Sequence, residues 1–370
     1  MIPVMIPCLG EEEAQAAAEA VRSGWVAQGP RVAEFERQFA ALVGAQHGVA
    51  VSSCTTGLHL ALVVAGVGAG DEVIVPSLSF IATANAARYV GATPVFADVE
   101  LATGNLTVET IDAVRTPRTK AVIAVHQAGV PFDLHALRAA CERWGVALVE
   151  DAACAAGSTA YGEPVGKGAK IAAWSFHPRK VITTGEGGMV TIDDASWSVQ
   201  LKRLREHGMN VSAADRHASA QPILEAYLET GFNYRMTDIQ AAVGLVQLTR
   251  LESLVAQRRE LAARYQELLA DVAGVTPVRD PAYGTTNYQS FWVLLDGVPR
   301  DELLKELAAA GVSARRGIMA AHLEPAYDIA VDLPNTLRLT KDSLILPLHH
   351  KLTESDQDHI VGVVRKLAGQ

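Results

Sequence analysis

The sequence predicts an α/β protein, with a mostly parallel sheet flanked by helices in a large domain and a smaller C-terminal α+β domain. Apolar strands and helices alternate with short links from residue 45 to residue 192, a pattern typical of a parallel sheet covered on both faces. A long, charged, amphipathic helix follows over residues 251–270, and shorter strands and helices alternate after it. We therefore expect a large domain over residues 1–250 and a small domain over residues 251–370.

Composition excludes several classes of protein. The chain has 370 residues, 49% of them hydrophobic, and a formal net charge of −9. An acidic balance argues against a nucleic-acid-binding protein. No apolar run is long enough for a transmembrane helix, and the N-terminus lacks the basic and apolar parts of a signal peptide. The cysteines are few and scattered without a CxxC pair, which argues against a metal centre and fits a reducing cytoplasm.

The elements of the large domain follow from apolar spacing. Residues 11–23 and 32–43 have apolar residues at helical intervals, and a glycine ends each helix. Short apolar runs between turn residues then predict strands, and the segments that link them have helical spacing. The predicted strands cover residues 47–52, 70–76, 93–98, 121–126, 146–149, 171–174 and 189–192, where the range 70–76 includes the turn before the strand. The predicted helices cover residues 55–65, 81–89, 134–144, 196–207 and 239–248.

The small domain begins after the charged helix. Its shorter apolar runs alternate with segments of helical spacing, which indicates a compact α+β arrangement. The predicted strands cover residues 288–295, a stretch near 312 and residues 343–346, and the predicted helices cover residues 300–310 and 355–366.

Lys180 occupies a turn-rich segment between two apolar strands. A lysine held between buried strands is fixed in position, and a desolvating or cationic environment can remove its proton. His177 and Arg179 lie close enough in sequence to supply positive charge. A neutral amine is a nucleophile toward carbonyl groups, although a lysine in a glycine turn is more often an ordinary surface residue.

Two further segments follow predicted strands. Residues 52–57 form a hydroxyl-rich helix start, where free N–H groups and the helix dipole favour an anion, although serine and threonine are also ordinary helix caps. Asp151 ends the strand before residues 152–154 and either caps a turn or pairs with a cation. Phe80 also lies just beyond a strand end, where ligands bind in open α/β sheets.

Together, residues 52–57, 150–154 and 175–189 resemble the DegT/DnrJ/EryC1/StrS family of sugar aminotransferases, which use pyridoxal phosphate (PLP) and have the fold type I architecture. The Asn-Tyr-Arg-Met sequence at residues 233–236 is a further family signature. The resemblance extends from residue 24 to about residue 347. It implies an aminotransferase with PLP as cofactor.

The resemblance implies a role for each matching residue. Lys180 would hold the cofactor through its aldehyde and move the proton during transfer, and Asp151 would pair with the pyridinium nitrogen. Thr55, Ser175 and the backbone of Cys54 would bind the cofactor phosphate.

Phe80 would stack on the cofactor ring, and Cys154 would lie beside it, where the family usually has glutamine or histidine. Asn233 would cross a homodimer interface to the phosphate in the partner subunit. Candidate substrate contacts are Trp25, Arg316 and His322.

The family resemblance also implies the substrates. The expected amino donor is L-glutamate or L-glutamine, and the acceptor is a ketone on a nucleotide-linked deoxysugar. A keto-cyclitol or another non-nucleotide ketone is the alternative acceptor. A family dehydratase is disfavoured because such enzymes replace the lysine by histidine, and a non-catalytic relative is disfavoured because Lys180, Asp151 and Ser175 are all present.

Overall fold

The computed structural model describes residues 1–212, 216 and 219–369, and its main feature is a seven-stranded sheet. The strands of this part of the chain are β1 (His47–Val51), β2 (Glu72–Pro76), β3 (Thr93–Ala97), β4 (Thr119–Val125), β5 (Ala147–Asp151), β6 (Thr159–Ala160), β7 (Glu163–Pro164), β8 (Ile171–Ser175) and β9 (Gly188–Ile192). The order in the sheet is β1-β9-β8-β5-β4-β2-β3. Strands β2, β3, β4, β5 and β8 run parallel, whereas β9 pairs antiparallel with both β8 and β1.

Helices cover the sheet, and the longest of them leads to the C-terminal part of the chain. These helices are α1 (Glu11–Arg22), α2 (Pro30–Leu42), α3 (Cys54–Val64), α4 (Ala82–Tyr89), α5 (Val108–Asp112), α6 (Leu134–Trp144), α7 (Ala195–Leu204) and α8 (Asp238–Leu268). Apolar side chains of the sheet and its helices form buried clusters on both faces. This arrangement confirms the predicted α/β class with a mostly parallel sheet.

A second sheet of four antiparallel strands forms the core of the C-terminal part. Its strands are β10 (Val275–Pro277), β12 (Phe291–Leu295), β13 (Arg315–Arg316) and β14 (Ser343–Leu346), while β11 (Gly284–Thr285) pairs instead with β6. The order in this sheet is β10-β12-β14-β13. Helices α9 (Arg300–Ala309), α10 (Pro334–Asp342) and α11 (Glu354–Leu367) accompany it.

One predicted break in the chain is wrong. The apolar spacing predicts separate helices over residues 239–248 and 251–270, but α8 runs without interruption from Asp238 to Leu268. Thr237 caps its start by accepting a hydrogen bond from the Gln240 backbone, and neither glycine nor proline separates the two predicted segments. The division expected between residues 250 and 251 therefore falls inside a helix.

The strand expected near Val312 is also displaced. Val312 makes only an isolated bridge with Ile2, and the strand itself is β13. The N-terminal segment is held there by hydrogen bonds from Ile2 N to Gly311 O at 2.7 Å and from Ser313 N to Ile2 O at 2.8 Å. The first residues of the chain thus lie against the C-terminal sheet.

The parallel strands place their carboxyl ends at one edge of the large sheet. Asp151 ends β5 and Ser175 ends β8, while α3 and α4 begin shortly after β1 and β2. Because β9 is antiparallel to β8, its first residue, Gly188, lies at the same edge, paired with Ser175. Within the described residues, no helix combines the length and the apolar character required to cross a bilayer.

Candidate active site

Lys180 lies in the loop that joins β8 to β9, and hydrogen bonds at the base of this loop fix its course. Phe176 N donates to Gly187 O at 2.9 Å, and Thr183 Oγ1 donates to Phe176 O at 2.7 Å. Gln289 reaches from the C-terminal part and donates through Nε2 to Arg179 O at 2.5 Å. The lysine is therefore attached to a braced turn.

The Lys180 amine is surrounded by thiols and a carboxylate. Its Nζ donates a hydrogen bond to Cys154 Sγ at 3.1 Å. Burial lowers the pKa of Lys180, but Cys154, Cys54 and Asp151 together outweigh that effect and leave the pKa raised. The positive environment expected from His177 and Arg179 therefore does not dominate, and burial lowers the pKa of the His177 imidazole itself.

Asp151 is buried at the end of β5. Its Oδ2 accepts a hydrogen bond from Thr83 Oγ1 at 2.9 Å, and its Oδ1 accepts one from Ala153 N at 3.2 Å. Burial raises the pKa of the Asp151 carboxyl, and the hydrogen bond from Thr83 opposes that shift. A carboxylate in such a place is costly unless a cation pairs with it.

The first turn of α3 has backbone N–H groups without helical partners, as every helix start does. Ser53 caps the helix by accepting from Thr56 N, so the first-turn amides of Cys54 and Thr55 remain directed out of the helix start. Gly188 packs against this turn so closely that a Cβ there would lie 2.4 Å from the Ser53 carbonyl carbon. Only glycine allows β9 to approach α3 in this way.

One cavity of about 360 Å³, which we call the Asp151 cavity, brings most of the predicted site residues together. Its volume lies in the ordinary range for small-molecule sites. The ring of Phe80 is 69% exposed beside it, which is unusual for a large aromatic side chain. The predicted residues that line the cavity are Cys54, Thr55, Phe80, Asp151, Cys154, Ser175 and Lys180.

A second cavity of about 390 Å³, which we call the arginine cavity, adjoins the first. Arg179, Arg258, Arg315 and Arg316 line it, and its wall also includes residues of the N-terminal segment. The side chains shared by both cavities are Phe80, Cys154, Arg179, Lys180, Ser290 and Ile318. Lys180 thus stands where the two spaces meet.

Other predicted residues lie elsewhere. His322 is only 2% exposed, its Nδ1 lies 2.6 Å from Ser77 Oγ, and it lines neither cavity of the single chain, so its substrate contact stays a prediction that this position does not support. Trp25 and the exposed Asn233 also line neither cavity. Their predicted roles therefore require a second subunit, and they stay predictions.

Two details differ from expectation or were missed. Cys54 was expected to act only through its backbone, but its Sγ lies 4.0 Å from Asp151 Oδ1. Thr83, the donor to Asp151, is missing from the sequence prediction, although its place in the first turn of α4, three residues after Phe80, is a usable signal. Arg258 was also overlooked.

Features of the Asp151 cavity fit pyridoxal phosphate. Asp151 has no ion pair within the described part of the chain and can accept a pyridinium N–H. The first-turn amides of α3, with the hydroxyl groups of Thr55 and Ser175, suit a phosphate. The exposed ring of Phe80 provides a face for a flat heterocycle, and Lys180 can reach an aldehyde.

Comparison with known proteins agrees with this assignment. The model of the DegT/DnrJ/EryC1/StrS aminotransferase family matches residues 7–365. The aminotransferase TlmJ from Streptoalloteichus hindustanus is 38% identical, with 99% of this chain and 98% of that chain covered and a TM-score of 0.92.

Two further solved structures are similar over the whole chain. The putative sugar aminotransferase Spr1654 from Streptococcus pneumoniae, in its PMP form, is 29% identical, with 100% of this chain and 99% of that chain covered and a TM-score of 0.94. DesI in the presence of its TDP-sugar product is 33% identical, with 100% and 93% covered and a TM-score of 0.90. Spr1654 is also known in a PLP form. Because the family match spans nearly the whole sequence, this chain belongs to the DegT/DnrJ/EryC1/StrS aminotransferase family, and it is a PLP-dependent transaminase with the fold type I architecture.

Proposed function

We propose that the enzyme moves an amino group from L-glutamate or L-glutamine to the keto group of a nucleotide-linked deoxysugar. The observation that carries this proposal is the position of Lys180 between the Asp151 cavity and the arginine cavity. The first cavity suits the cofactor, and the second offers space for a substrate beside the reacting amine. A substrate in the arginine cavity would meet the cofactor at Lys180.

Each residue of the chain has a defined part in this reaction. PLP, when bound, supplies the electron sink that stabilises a carbanion at the substrate carbon. Asp151 would hold the ring nitrogen in its protonated form through a buried ion pair. Lys180 Nζ would hold the cofactor through its aldehyde and would serve as the group that moves a proton at the substrate carbon. Positioned proton transfer of this kind contributes about 10²–10⁴-fold to the rate.

The charge of the arginine cavity supports an anionic substrate. None of the described residues that line it is acidic, whereas several are arginines. Both an amino-acid carboxylate and a nucleotide diphosphate suit such a surface. The structure of DesI in the presence of its TDP-sugar product gives a precedent for a nucleotide sugar among similar proteins.

We also propose a homodimer with shared active sites. Asn233 and Trp25 lie outside both cavities of their own chain, and Asn233 is exposed. Val26 and Tyr227, which lie close to them in sequence, are exposed apolar side chains that a second copy would cover. Mixing Lys180→Ala subunits with Asn233→Ala subunits should restore activity, because each mixed dimer then contains one intact site. Mixed dimers that remain inactive would refute the shared site.

The catalytic assignment is tested with Lys180→Ala. This variant should bind PLP weakly, lack the visible absorbance of lysine-bound cofactor and lose turnover. A Lys180→Ala enzyme that keeps both the absorbance and the activity would overturn the assignment.

The substrate is tested by mass spectrometry of products. The wild-type enzyme is incubated with L-glutamate or L-glutamine and a panel of 3-keto and 4-keto nucleotide sugars, with a free keto-cyclitol as the competing acceptor. Amination of a nucleotide sugar supports the proposal. Amination of the cyclitol alone would replace it with the alternative acceptor class.

A further inference from the structure

Arg258 is a buried cation on the long helix α8, and it is 6% exposed. Its Nε donates to Tyr288 O at 2.8 Å, and one terminal nitrogen donates to Gln289 O at 2.9 Å. Tyr288 has a φ of +48°, the left-handed conformation that a bulky residue rarely adopts. The loop is therefore bent so that successive carbonyl groups face the guanidinium.

The charge of Arg258 is not neutralised by the described part of the chain. Its hydrogen-bond partners are carbonyl groups, and no carboxylate there forms an ion pair with it. The titratable groups that interact with it include His349 and His350, neither of which can supply negative charge. Burial lowers the pKa of Arg258 to about 10, so the side chain stays charged at neutral pH. A buried charge without a counter-ion is costly unless a ligand supplies one.

Arg258 also lines the arginine cavity, where other cations face it. Partial burial, with the nearby charges of Arg179 and Arg316, lowers the pKa of Arg315. Arg315 is exposed on β13, and no carboxylate pairs with it in the described residues. Arg316, by contrast, has a carboxylate partner, because one of its terminal nitrogens lies 3.9 Å from Glu324 Oε1. The positive charges that lack a partner are thus directed at one space beside Lys180.

We propose that Arg258 and Arg315 together bind an anionic group of the substrate, a carboxylate or a phosphate, and so determine which substrates enter the site. This inference rests on the proposed function, because it assigns residues to substrate recognition in the same reaction. Guanidinium groups suit both anions, since their planar N–H groups match two oxygens at once. The two possible sources are the amino donor and the nucleotide of the acceptor.

The test separates the two half-reactions of the holoenzyme. The PLP form is mixed with L-glutamate alone, and loss of the visible absorbance measures donor binding. The PMP form is mixed with a nucleotide ketosugar alone, and return of that absorbance measures acceptor binding. Arg258→Lys and Arg315→Met are compared with the wild type in both arms.

Arg259→Lys is the matched control. Arg259 is the next residue on α8 and also donates to backbone carbonyls, Thr286 O at 3.0 Å and Gly157 O at 3.3 Å, but it lines neither cavity. Loss of a charge-assisted hydrogen bond should weaken the apparent affinity about 10- to 100-fold in the Arg258 and Arg315 variants. The Arg259 control should stay close to the wild type.

The outcomes show which substrate supplies the anion and whether the inference or the proposed function has failed. Weaker binding of L-glutamate in the donor arm identifies the carboxylate of the amino donor as the bound anion. Weaker binding of the ketosugar in the acceptor arm identifies the phosphate of its nucleotide. Unchanged affinity in both arms for Arg315→Met, or an equal defect in Arg258→Lys and Arg259→Lys, would overturn the inference. If the wild type performs neither half-reaction, the proposed function fails. Calorimetric binding of inorganic phosphate to wild type and Arg315→Met then still tests the anion site, since equal binding contradicts it.

Discussion

Thr83→Val tests whether the charge on Asp151 is set by its hydrogen bonds. The substitution keeps the size of the side chain and removes the hydroxyl that donates to Asp151 Oδ2 at 2.9 Å. Because that proton goes to the carboxylate, Ser79 Oγ must donate to Thr83 Oγ1, 2.8 Å away. The variant therefore leaves Asp151 with the Ala153 amide as its remaining strong donor and deprives Ser79 of an acceptor.

The magnitude follows from the protonation state of Asp151. A hydrogen bond to a charged group stabilises by about 1.5–3 kcal/mol and a neutral one by about 0.5–1.5 kcal/mol. In the proposed cofactor complex, Asp151 is ionised because it pairs with the pyridinium nitrogen. Without it, burial raises the pKa of Asp151, so the carboxyl takes up a proton as the pH falls through that raised value. The difference is about 1–1.5 kcal/mol, which corresponds to cofactor affinity weaker by about tenfold at acidic pH.

The sign of the pH dependence is a stronger test than the magnitude. At higher pH, Asp151 is ionised with or without cofactor, so the lost hydrogen bond destabilises the cofactor-free and the cofactor-bound enzyme equally. The difference in PLP affinity between wild type and Thr83→Val should therefore shrink as the pH rises. The unsatisfied Ser79 also destabilises both states, so it lowers the melting temperature and leaves the affinity unchanged. The ionisation of Lys180 affects wild type and variant alike and cancels in their ratio.

The assay is a titration of cofactor-free enzyme with PLP, followed by absorbance, over a pH range that spans the change in wild-type affinity caused by protonation of Asp151. Thr83→Ser is the matched control, since it keeps the hydroxyl and should bind PLP as the wild type does. A Thr83→Val enzyme with wild-type affinity at the acidic end would show that the hydrogen bond does not control Asp151. A defect that grows with rising pH would contradict the linkage argument.

Two more predictions follow from the same site. Gly188→Ala should weaken PLP binding severely or prevent folding, because the added Cβ would lie 2.4 Å from the Ser53 carbonyl carbon. The control is Gly362→Ala on α11, whose added Cβ meets nothing within 4 Å and which should stabilise the helix by about 0.5–1 kcal/mol. Equal melting temperatures for the two variants would refute this prediction. Cys154 lines both cavities and should react with iodoacetamide only in cofactor-free enzyme, while buried Cys141, whose pKa burial raises to about 11, stays unmodified. Peptide mass spectrometry that finds equal Cys154 labelling with and without PLP would contradict this placement.

The Asp151 cavity was predictable because it depends on strand order more than on side-chain packing. Alternating strands and helices imply parallel strands, and parallel strands bring their carboxyl ends to one edge. Asp151 and Ser175 end such strands, and Thr55 begins the helix after another. The sequence therefore placed them near one another without any knowledge of distant contacts.

What the sequence does not reveal depends on contacts between distant parts of the chain. The sequence offers His322 as a substrate contact, but Ser77, 245 residues away in sequence, holds its ring in the interior of the single chain. The position of Arg258 depends on carbonyl groups of Tyr288 and Gln289, which no local pattern reveals. One signal was available. The buried positions of α8, residues 251, 255, 258, 262 and 265, follow alternating steps of four and three, and an arginine occupies this apolar stripe.

The two cavities divide the charges that the reaction requires. Asp151 is a buried carboxyl group that we assign to the cationic end of the cofactor, and the arginine cavity has no acidic lining residue among those described. Since the whole chain has a net charge of −9, the protein as a whole repels anions, and only a local group of cations can attract an anionic substrate. Arg258 is buried and so is screened less by salt than an exposed arginine would be. Placing that charge on α8, beside the loop that also holds Lys180 through Gln289, links substrate recognition to the position of the reacting amine.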